Sequence, residues 1–414
     1  MKAIFIVYNV AQCDMFKLII NELYDWDITV INVEIWKYKN EVEDELSHIG
    51  VHYTSLERLN EKYISQTVKQ IKPDIVVVGN DDLPASKMFI QTATRMNIPT
   101  LLVQDGILSR NIQRRQNRKN ENVLKYLLTA PYRFFRFIIK TDLPIRHKMQ
   151  TLLYDLRYGS KWNKDGAGAY PGTGKCSMMA VFGETTKKMF MSEGINPEKI
   201  MITGNPKFDL LFSINKNDYK ENICHKLGIP TTKNIILLLT SYLVEINTWT
   251  AEQRKEFVST VARATAAQRD TILIIKIHPP LENENVYVDI VKKFMPHPII
   301  LKYAEISELL SACSIVITIA STVALEAMAL KKPVIFVNLF NESDMDFYNN
   351  SGAFFVKNEN ELSDALENAS IEDEVRNKLR DDFIAKNAYL QDGKSSKRIA
   401  DLIFEMTKNK IKTT

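Results

Sequence analysis

Short, almost unbroken runs of aliphatic and β-branched residues recur along this chain, and segments of helix length separate them. In the first half the runs are AIFIVYN (3–9), DITVINV (27–33), DIVVVGN (74–80) and TLLVQDG (100–106). Each ends in polar residues or glycine. Between them lie LERLNEKYISQTVKQIK (56–72) and ASKMFIQTATRMN (85–97). A strand with one wet face alternates apolar and polar residues, whereas a strand apolar throughout is covered on both faces. The intervening helices supply that cover, so the pattern predicts a parallel sheet between two helical layers. It resumes with MMAVFG (178–183), a helix from about 184, and KIMITG (199–204).

A second set of strands follows: NIILLLTS (234–241), TILIIKIHPP (271–280), IIL (299–301), SIVITIAST (314–322) and PVIFVNL (333–339). Helices are predicted over 251–268 and 322–332 and near 371–387 and 394–409. Between the two sets, Gly204 and Pro206 of GNPKFDLL (204–211) interrupt the pattern, and polar KNDYKEN comes after. No short-period repeat is present. For 414 residues, the expectation is an α/β protein of two doubly wound domains facing across a cleft. The first spans 1–206, with an insertion at about 107–176. The second spans 207–388, and 389–414 closes the chain.

Hydrophobic residues make up 45% and charged residues 25%, a balance that excludes wholesale disorder. No apolar run reaches the roughly 18 residues of a spanning helix. MKAIFIVYNVAQCD at the N-terminus reads as a first strand rather than a signal peptide. Cys13, Cys176, Cys224 and Cys313 show no metal spacing and suit a reducing cytoplasm.

The net charge of +4 conceals an uneven distribution. Residues 110–150 hold eleven Lys/Arg against Glu121 and Asp142, a local +9 that leaves −5 for the rest. Within that stretch VLKYLLTAPYRFFRFIIK (123–140) interleaves basic residues with Leu, Phe, Tyr and Ile. Such a composition suits an anionic membrane surface. It equally suits a solvated helix hairpin over the core, or a single-stranded nucleic acid. No nucleic-acid module accompanies it, and no nucleic-acid partner is expected.

In doubly wound domains ligands bind beyond the carboxyl ends of the strands. That rule selects Asn9, Asn80, Asp81, Asp82, Gln104 and Asp105 in the first half. In the second it selects Thr240, Ser241, His278, Ser321 and Thr322. His278 ends an apolar strand that Pro279 and Pro280 stop. Its imidazole suits a phosphate contact or proton donation, or a plain backbone bond at a strand end. Lys276 lies two residues before it. Ser321 and Thr322 open a helix, where free N–H groups and hydroxyls suit a nucleotide phosphate or serve as an ordinary cap. Glu326, one turn on, is placed to accept ribose hydroxyl bonds or to remain a solvated carboxylate. Gly106 permits a tight turn that exposes the Asp105 carboxylate, either as a general base or as a turn without chemistry.

Other signals carry less. GAGAYPGTGKC (166–176) has the look of a phosphate loop, but Ala169 and Cys176 stand where glycine and a hydroxyl are needed. The six histidines lack zinc spacing. No Gly-x-Gly-x-x-Gly follows the first strand, and no Gly-x-Ser-x-Gly is present.

Taken together, these segments resemble a GT-B glycosyltransferase, with two Rossmann-like domains. MAVFGETTKKMFMSEGINPEKIMITGNPKFDLL resembles the interdomain stretch of non-hydrolysing UDP-N-acetylglucosamine 2-epimerases and surface-polysaccharide transferases. QDGKSSKRIADLI (391–403) resembles the closing helix that in this fold crosses back to the first domain. Asp105-Gly106 with His278-Pro279 and Ser321-Thr322 is similar to the motif set of bacterial sialyltransferases and polysialyltransferases, although Gln104 stands at the first acidic position. Kdo-type capsule transferases and CDP-glycerol glycerophosphotransferases also carry a His–Pro element.

The resemblance implies transfer from a nucleotide-activated donor, CMP-sialic-acid-like or a UDP-sugar, by single displacement onto a hydroxyl of a surface glycan or lipid-linked acceptor. It implies Asp105 and His278 as catalytic residues. Thr240, Ser241, Lys276, Pro279, Ser321, Thr322 and Glu326 fall on the donor side. Asn80, Asp81, Gln104 and Gly106 fall on the acceptor side. Neither a metal nor a cofactor is needed, because hydroxyls, imidazole and helix dipole can take the leaving-group charge. The alternatives are a CDP-glycerol-type glycerophosphotransferase, a 2-epimerase-like enzyme and a non-catalytic binding protein. TSYLVEIN (240–247) stands where the epimerases carry His-Arg-x-Glu-Asn. The implied location is the cytoplasm, peripherally at the inner face of the membrane. If residues 110–150 dock there, neutralising Arg133, Arg136 and Lys140 lowers binding to anionic liposomes in a flotation assay. Unchanged binding removes the membrane role.

Overall fold

The structure is a computed structural model. It describes residues 1–33, 39–56, 61–81, 83–106, 176–213, 216–245, 248–278, 282–319, 321–369, 371 and 373–413. Asp82, Pro279, the basic segment 110–150 and all but the last residue of the 166–176 loop lie outside the described residues. Two compact units divide the chain. The first is Met1–Lys207 together with Lys394–Thr414, and the second is Phe208–Gly393.

The first unit carries a seven-stranded parallel sheet. Its strands are β1 (Lys2–Val7), β2 (Asp27–Asn32), β3 (His52–Ser55), β4 (Ile75–Val78), β5 (Thr100–Val103), β6 (Met178–Val181) and β7 (Ile200–Ile202). They lie in the order β3-β2-β1-β4-β5-β6-β7. Side chains alternate between the faces with period two, and here both faces are buried. Ala3, Phe5 and Val7 of β1 join one core with Val30, Val77 and Leu101. Ile4 and Ile6 join the other with Val76, Val78 and Leu102. Helix α1 (Val10–Asn21) covers the first face through Phe16, Ile19 and Ile20. Helices α3 (Glu61–Ile71), α4 (Pro84–Arg95) and α5 (Glu184–Ser192) cover the second through Ile64, Phe89 and Phe190. This is the three-layer architecture that the apolar runs predict.

The last helix of the chain, Ser395–Thr413, belongs to the same unit. Ile399, Leu402 and Ile403 are buried in the first core, and Met406 packs against it. Their spacing forms one apolar stripe on a helix. Arg398 Nε donates to the Thr203 carbonyl at 2.8 Å just beyond β7, fixing the start of the helix.

The second unit carries a six-stranded parallel sheet of β8 (Asn234–Leu239), β9 (Thr271–Lys276), β10 (Ile299–Leu301), β11 (Ile315–Thr318), β12 (Val334–Val337) and β13 (Phe354–Val356). Its order is β10-β9-β8-β11-β12-β13. Each sheet therefore reverses direction once, between β1 and β4 and between β8 and β11. The carboxyl ends flanking such a reversal open a crevice outside the sheet.

Two strands, β3 and β13, were not apparent in the apolar pattern. Both are edge strands and both are short. His52 and Tyr53 of β3 are exposed, so no apolar run announces it. At β13, Gly352 just upstream has φ +73°, and a Cβ there would stand 2.3 Å from the Arg376 carbonyl oxygen. A backbone requirement sets that turn, and three strand residues are too few to show a period. The four cysteines are buried and unpaired. Among the described residues no helix is long and apolar enough to cross a membrane.

Ile403 is fully buried. Ile403→Ala should cost about 2–5 kcal/mol by cavity formation, read as a fall in the urea midpoint. A loss under about 0.5 kcal/mol, as at an open surface, would show that the C-terminal helix is not part of the first core.

Candidate active site

In the first unit the crevice is built at the ends of β1, β4 and β5. Tyr8 and Asn9 leave β1. The Asn9 side chain accepts the Gln12 backbone N–H at 2.8 Å and caps α1. That cap turns the Gln12 side chain, 1% exposed, back over the strand ends. Its Oε1 accepts the Tyr8 N–H at 3.2 Å, and its Nε2 donates to Asp105 Oδ2 at 2.8 Å. The Tyr8 hydroxyl donates to the same oxygen at 2.7 Å. The side chains of Asn80 and Asn9 also bond the Tyr8 phenol. Burial pushes the Asp105 carboxyl above the usual carboxylate range, although the Tyr8 and Gln12 bonds and the Lys207 charge pull the other way. Burial likewise raises the Tyr8 phenol, and the Asp105 charge adds to it.

Among the described residues, both side-chain bonds to Asp105 fall on Oδ2. No side chain of the described residues bonds Oδ1. A half-buried carboxylate with raised proton affinity and one available oxygen has the features of a general base. Gln104 has a different part. Its Oε1 accepts the Phe182 N–H and its Nε2 donates to the Gly106 carbonyl, both at 2.8 Å. Both ends of the amide are thus spent on tying β5 to the chain after β6 and to the turn. Gly106 takes no positive φ, and among the described residues nothing crowds its Cβ position. What it supplies is that carbonyl. Asp81 is fully buried, and its charge acts on the Cys176 thiol, whose affinity for its proton burial already raises. The Asn80 side chain accepts the Leu83 N–H at 3.3 Å.

In the second unit the crevice is built at the ends of β8, β9 and β11. Its centre is a residue that the motif reading did not select. Glu282, 1% exposed, accepts the His278 backbone N–H at 2.7 Å and the Thr240 hydroxyl on Oε2. Its Oε1 accepts the hydroxyl of Tyr287, which lies on the helix Glu284–Val291. Burial, then the Glu282 charge, raises the Tyr287 phenol. Glu282 N–H returns to the His278 carbonyl at 3.1 Å. One carboxylate thereby fixes the ends of β8 and β9 relative to each other. The His278 ring stays exposed and meets Tyr242 edge to face, centroids 4.5 Å apart.

Lys276 is turned to the sheet margin, where Nζ donates to the carbonyls of Ile277 at 3.0 Å and Lys302 at 2.9 Å. Burial lowers its affinity for its proton. Ser321 Oγ accepts the Val323 N–H at 3.2 Å, and the Tyr348 hydroxyl donates to the Ser321 carbonyl at 2.6 Å. Thr322 is exposed at the start of the helix Val323–Ala329 and makes no side-chain cap. Glu326 is buried one turn on. Ser241 follows Thr240 in the turn, its carbonyl accepting the Leu243 N–H at 2.7 Å.

Within each unit, then, the strand-end residues converge. Thr240 and His278 meet through Glu282, and Asp105 meets Asn80 through Tyr8. Glu282 was within reach of the sequence, four residues after His278 in HPPLE. Tyr8 and Gln12 had the first strand end as their only signal. Tyr348 had none. Glu282→Ala leaves two hydroxyls and one N–H without their acceptor. At about 1–3 kcal/mol per buried group, a loss of roughly 3 kcal/mol or more is expected in urea unfolding. A loss below about 1 kcal/mol would mean that the three bonds are dispensable.

A search of curated proteins found no match. Among solved structures the chain is similar to the UDP-GlcNAc 2-epimerase of Neisseria meningitidis bound to UDP-GlcNAc. The identity is 15% and the TM-score 0.62, over 98% of this chain and 100% of that one. The UDP-GlcNAc 2-epimerase of Methanocaldococcus jannaschii gives 17% and 0.60, over 98% and 100%. The wall teichoic acid polymerase TagF, determined with CDPG, gives 14% and 0.58, over 99% and 89%. These likenesses establish the fold as GT-B. Residues 178–405 match the family described as CDP-Glycerol:Poly(glycerophosphate) glycerophosphotransferase. More than half of the sequence falls in that match, including Thr240, His278, Glu282 and Ser321, and the chain belongs to the CDP-glycerol:poly(glycerophosphate) glycerophosphotransferase family, as a GT-B-type transferase with a nucleotide-activated donor.

Proposed function

We propose that the protein transfers glycerol phosphate from CDP-glycerol to a hydroxyl of a growing cell-envelope polymer or its lipid-linked primer. The observation that carries this reading is the family match over 178–405, which takes in the strand ends of the second unit. The TagF polymerase, of the same fold, acts on a wall teichoic acid. Of the three donors weighed from the sequence, the match favours CDP-glycerol over a CMP-sialic-acid-like or UDP-sugar donor.

The chemistry assigns the roles. The acceptor oxygen forms a bond to the phosphorus that carries glycerol. The bond from that phosphorus to the CMP oxygen breaks, and CMP leaves with the electron pair. Asp105 Oδ1 takes the acceptor proton. His278, Ser321 and Thr322 stabilise the departing phosphate, and Thr240, Ser241, Pro279 and Glu326 contribute to the nucleotide and ribose contacts. In such displacements catalysis is chiefly positioning and charge stabilisation. Asn80 lines the acceptor side, and Asp81, fully buried, makes no acceptor contact. The Arg/Lys-rich segment 110–150 would hold an anionic acceptor or the inner face of a membrane.

The base must be ionised to accept a proton, so activity rises with pH through the Asp105 ionisation. Because burial raises that ionisation, the acid limb of kcat/KM should lie above the roughly pH 4 of an ordinary aspartate. CMP release is expected from CDP-glycerol with a glycerol-phosphate primer, and not from CMP-sialic acid or UDP-sugars. Asp105→Asn should lower kcat about 10²–10⁴-fold. Full kcat in that variant would falsify the base assignment, and release from CMP-sialic acid alone would overturn the donor.

A further inference from the structure

We infer that Tyr8 and Gln12 are positioning residues for Asp105, dedicated to one carboxylate oxygen so that the other faces the acceptor hydroxyl. The inference rests on the reading of Asp105 as the base and names what aims it. Three independent features of the fold converge on that single oxygen. The Tyr8 hydroxyl reaches Oδ2 from the end of β1 at 2.7 Å. The Gln12 amide reaches it from the first turn of α1 at 2.8 Å. The end of β4 is cleared to let Gln12 through, since a Cβ on Gly79 would stand 2.2 Å from Gln12 Nε2 and 2.6 Å from its Cδ.

Gln12 is itself held at both ends. Its backbone N–H is capped by Asn9 and its Oε1 accepts from Tyr8 N–H. A side chain restrained in this way has one rotamer and delivers one donor. A carboxylate fixed through one oxygen by two donors loses its rotation about Cβ–Cγ, which is the freedom a base must lose to meet a hydroxyl in line.

Among the described residues, other groups facing this carboxylate are few. Lys207 acts on it by charge, and its own backbone N–H bonds it. Asn80 and Asn9 bond the Tyr8 phenol. The nearby Asp81 charge acts on Cys176. Removing either donor therefore removes a bond that favours the ionised Asp105, and the group titrates at higher pH.

Tyr8→Phe deletes one donor. Gln12→Met deletes the other at nearly the same volume and adds no charge beside Asp105. Two measurements on the full chain test the inference. The first needs no turnover. The melting temperatures of wild type and Asp105→Asn are compared from pH 4 to pH 9. Asp105 titrates higher in the folded chain than in the unfolded one, so wild type loses ground to Asp105→Asn as pH rises from the unfolded to the folded ionisation, and the gap levels off above the latter. In the Tyr8→Phe background the divergence starts at the same pH but should level off about one pH unit higher, and be larger, the worth of a bond to a charged group. Levelling off at the same pH in both backgrounds overturns the inference.

The second is the acid limb of kcat/KM with CDP-glycerol. It should move upward by a similar amount in Tyr8→Phe and Gln12→Met, with kcat falling more than KM changes. An unmoved limb in both variants, with Asp105→Asn inactive, removes the positioning role and leaves the base in place. An Asp105→Asn enzyme of full kcat removes the base, and the positioning of a base with it. A Tyr8→Phe chain whose stability falls equally at every pH would mark Tyr8 as a packing residue only.

Discussion

A strand buried on both faces has no room for a polar side chain except where it ends. The central strands β1, β4, β5, β8, β11 and β12 obey that constraint here, and the chemistry of the molecule follows from it. Every group with a part in the proposed reaction follows a strand or opens the helix after it. At those positions the backbone leaves the ladder, and its N–H and carbonyl groups need new partners. The side chains that satisfy them are the ones left in the crevice. Asn9 caps a helix, Gln104 spans β5 and the chain after β6, and Glu282 receives the His278 N–H.

The carboxylates of Glu282 and Asp105 show how one residue class divides into different uses. Glu282 has both oxygens filled by hydroxyl and amide donors from three separate segments. It is a cross-link, and its charge is spent on holding a turn. Asp105 has its two side-chain donors on one oxygen, and it stays half-buried with a raised proton affinity. A buried charge without its full complement of bonds is costly, so such an arrangement persists where the unfilled side has something to receive. The distinction lies in the count of donors per oxygen.

Much of the fold was legible because burial on two faces leaves a continuous apolar signature. That signature located β1, β2 and β4–β12. It missed β3 and β13, whose exposure and brevity erase it. The candidate site was legible by the same logic as far as strand ends are concerned, which is how Asp105, His278 and Ser321 were selected. Glu282, Tyr8 and Gln12 escaped because their importance is relational. Gln12 lies 93 residues from Asp105 along the chain, and nothing local to either announces the pair. Lys276 illustrates the converse. Its place at a strand end suggested a phosphate contact, yet its ammonium is held by two backbone carbonyls at the sheet margin, a direction that residue spacing cannot specify.

The return of the final helix to the first unit bears on how the molecule comes into being. The core between α1 and the first sheet is completed by Ile399, Leu402 and Ile403, which leave the ribosome after the second unit. The second unit, Phe208–Gly393, is one uninterrupted stretch and has all its strands before those residues exist. Domains fold as units, in the order in which their residues become available. The first unit begins before the second and is finished after it. Throughout the synthesis of the second unit, one apolar face of the first sheet waits without part of its cover. A growing chain of this architecture therefore carries an open apolar face while a whole domain is made, and the interval is set by the speed of translation.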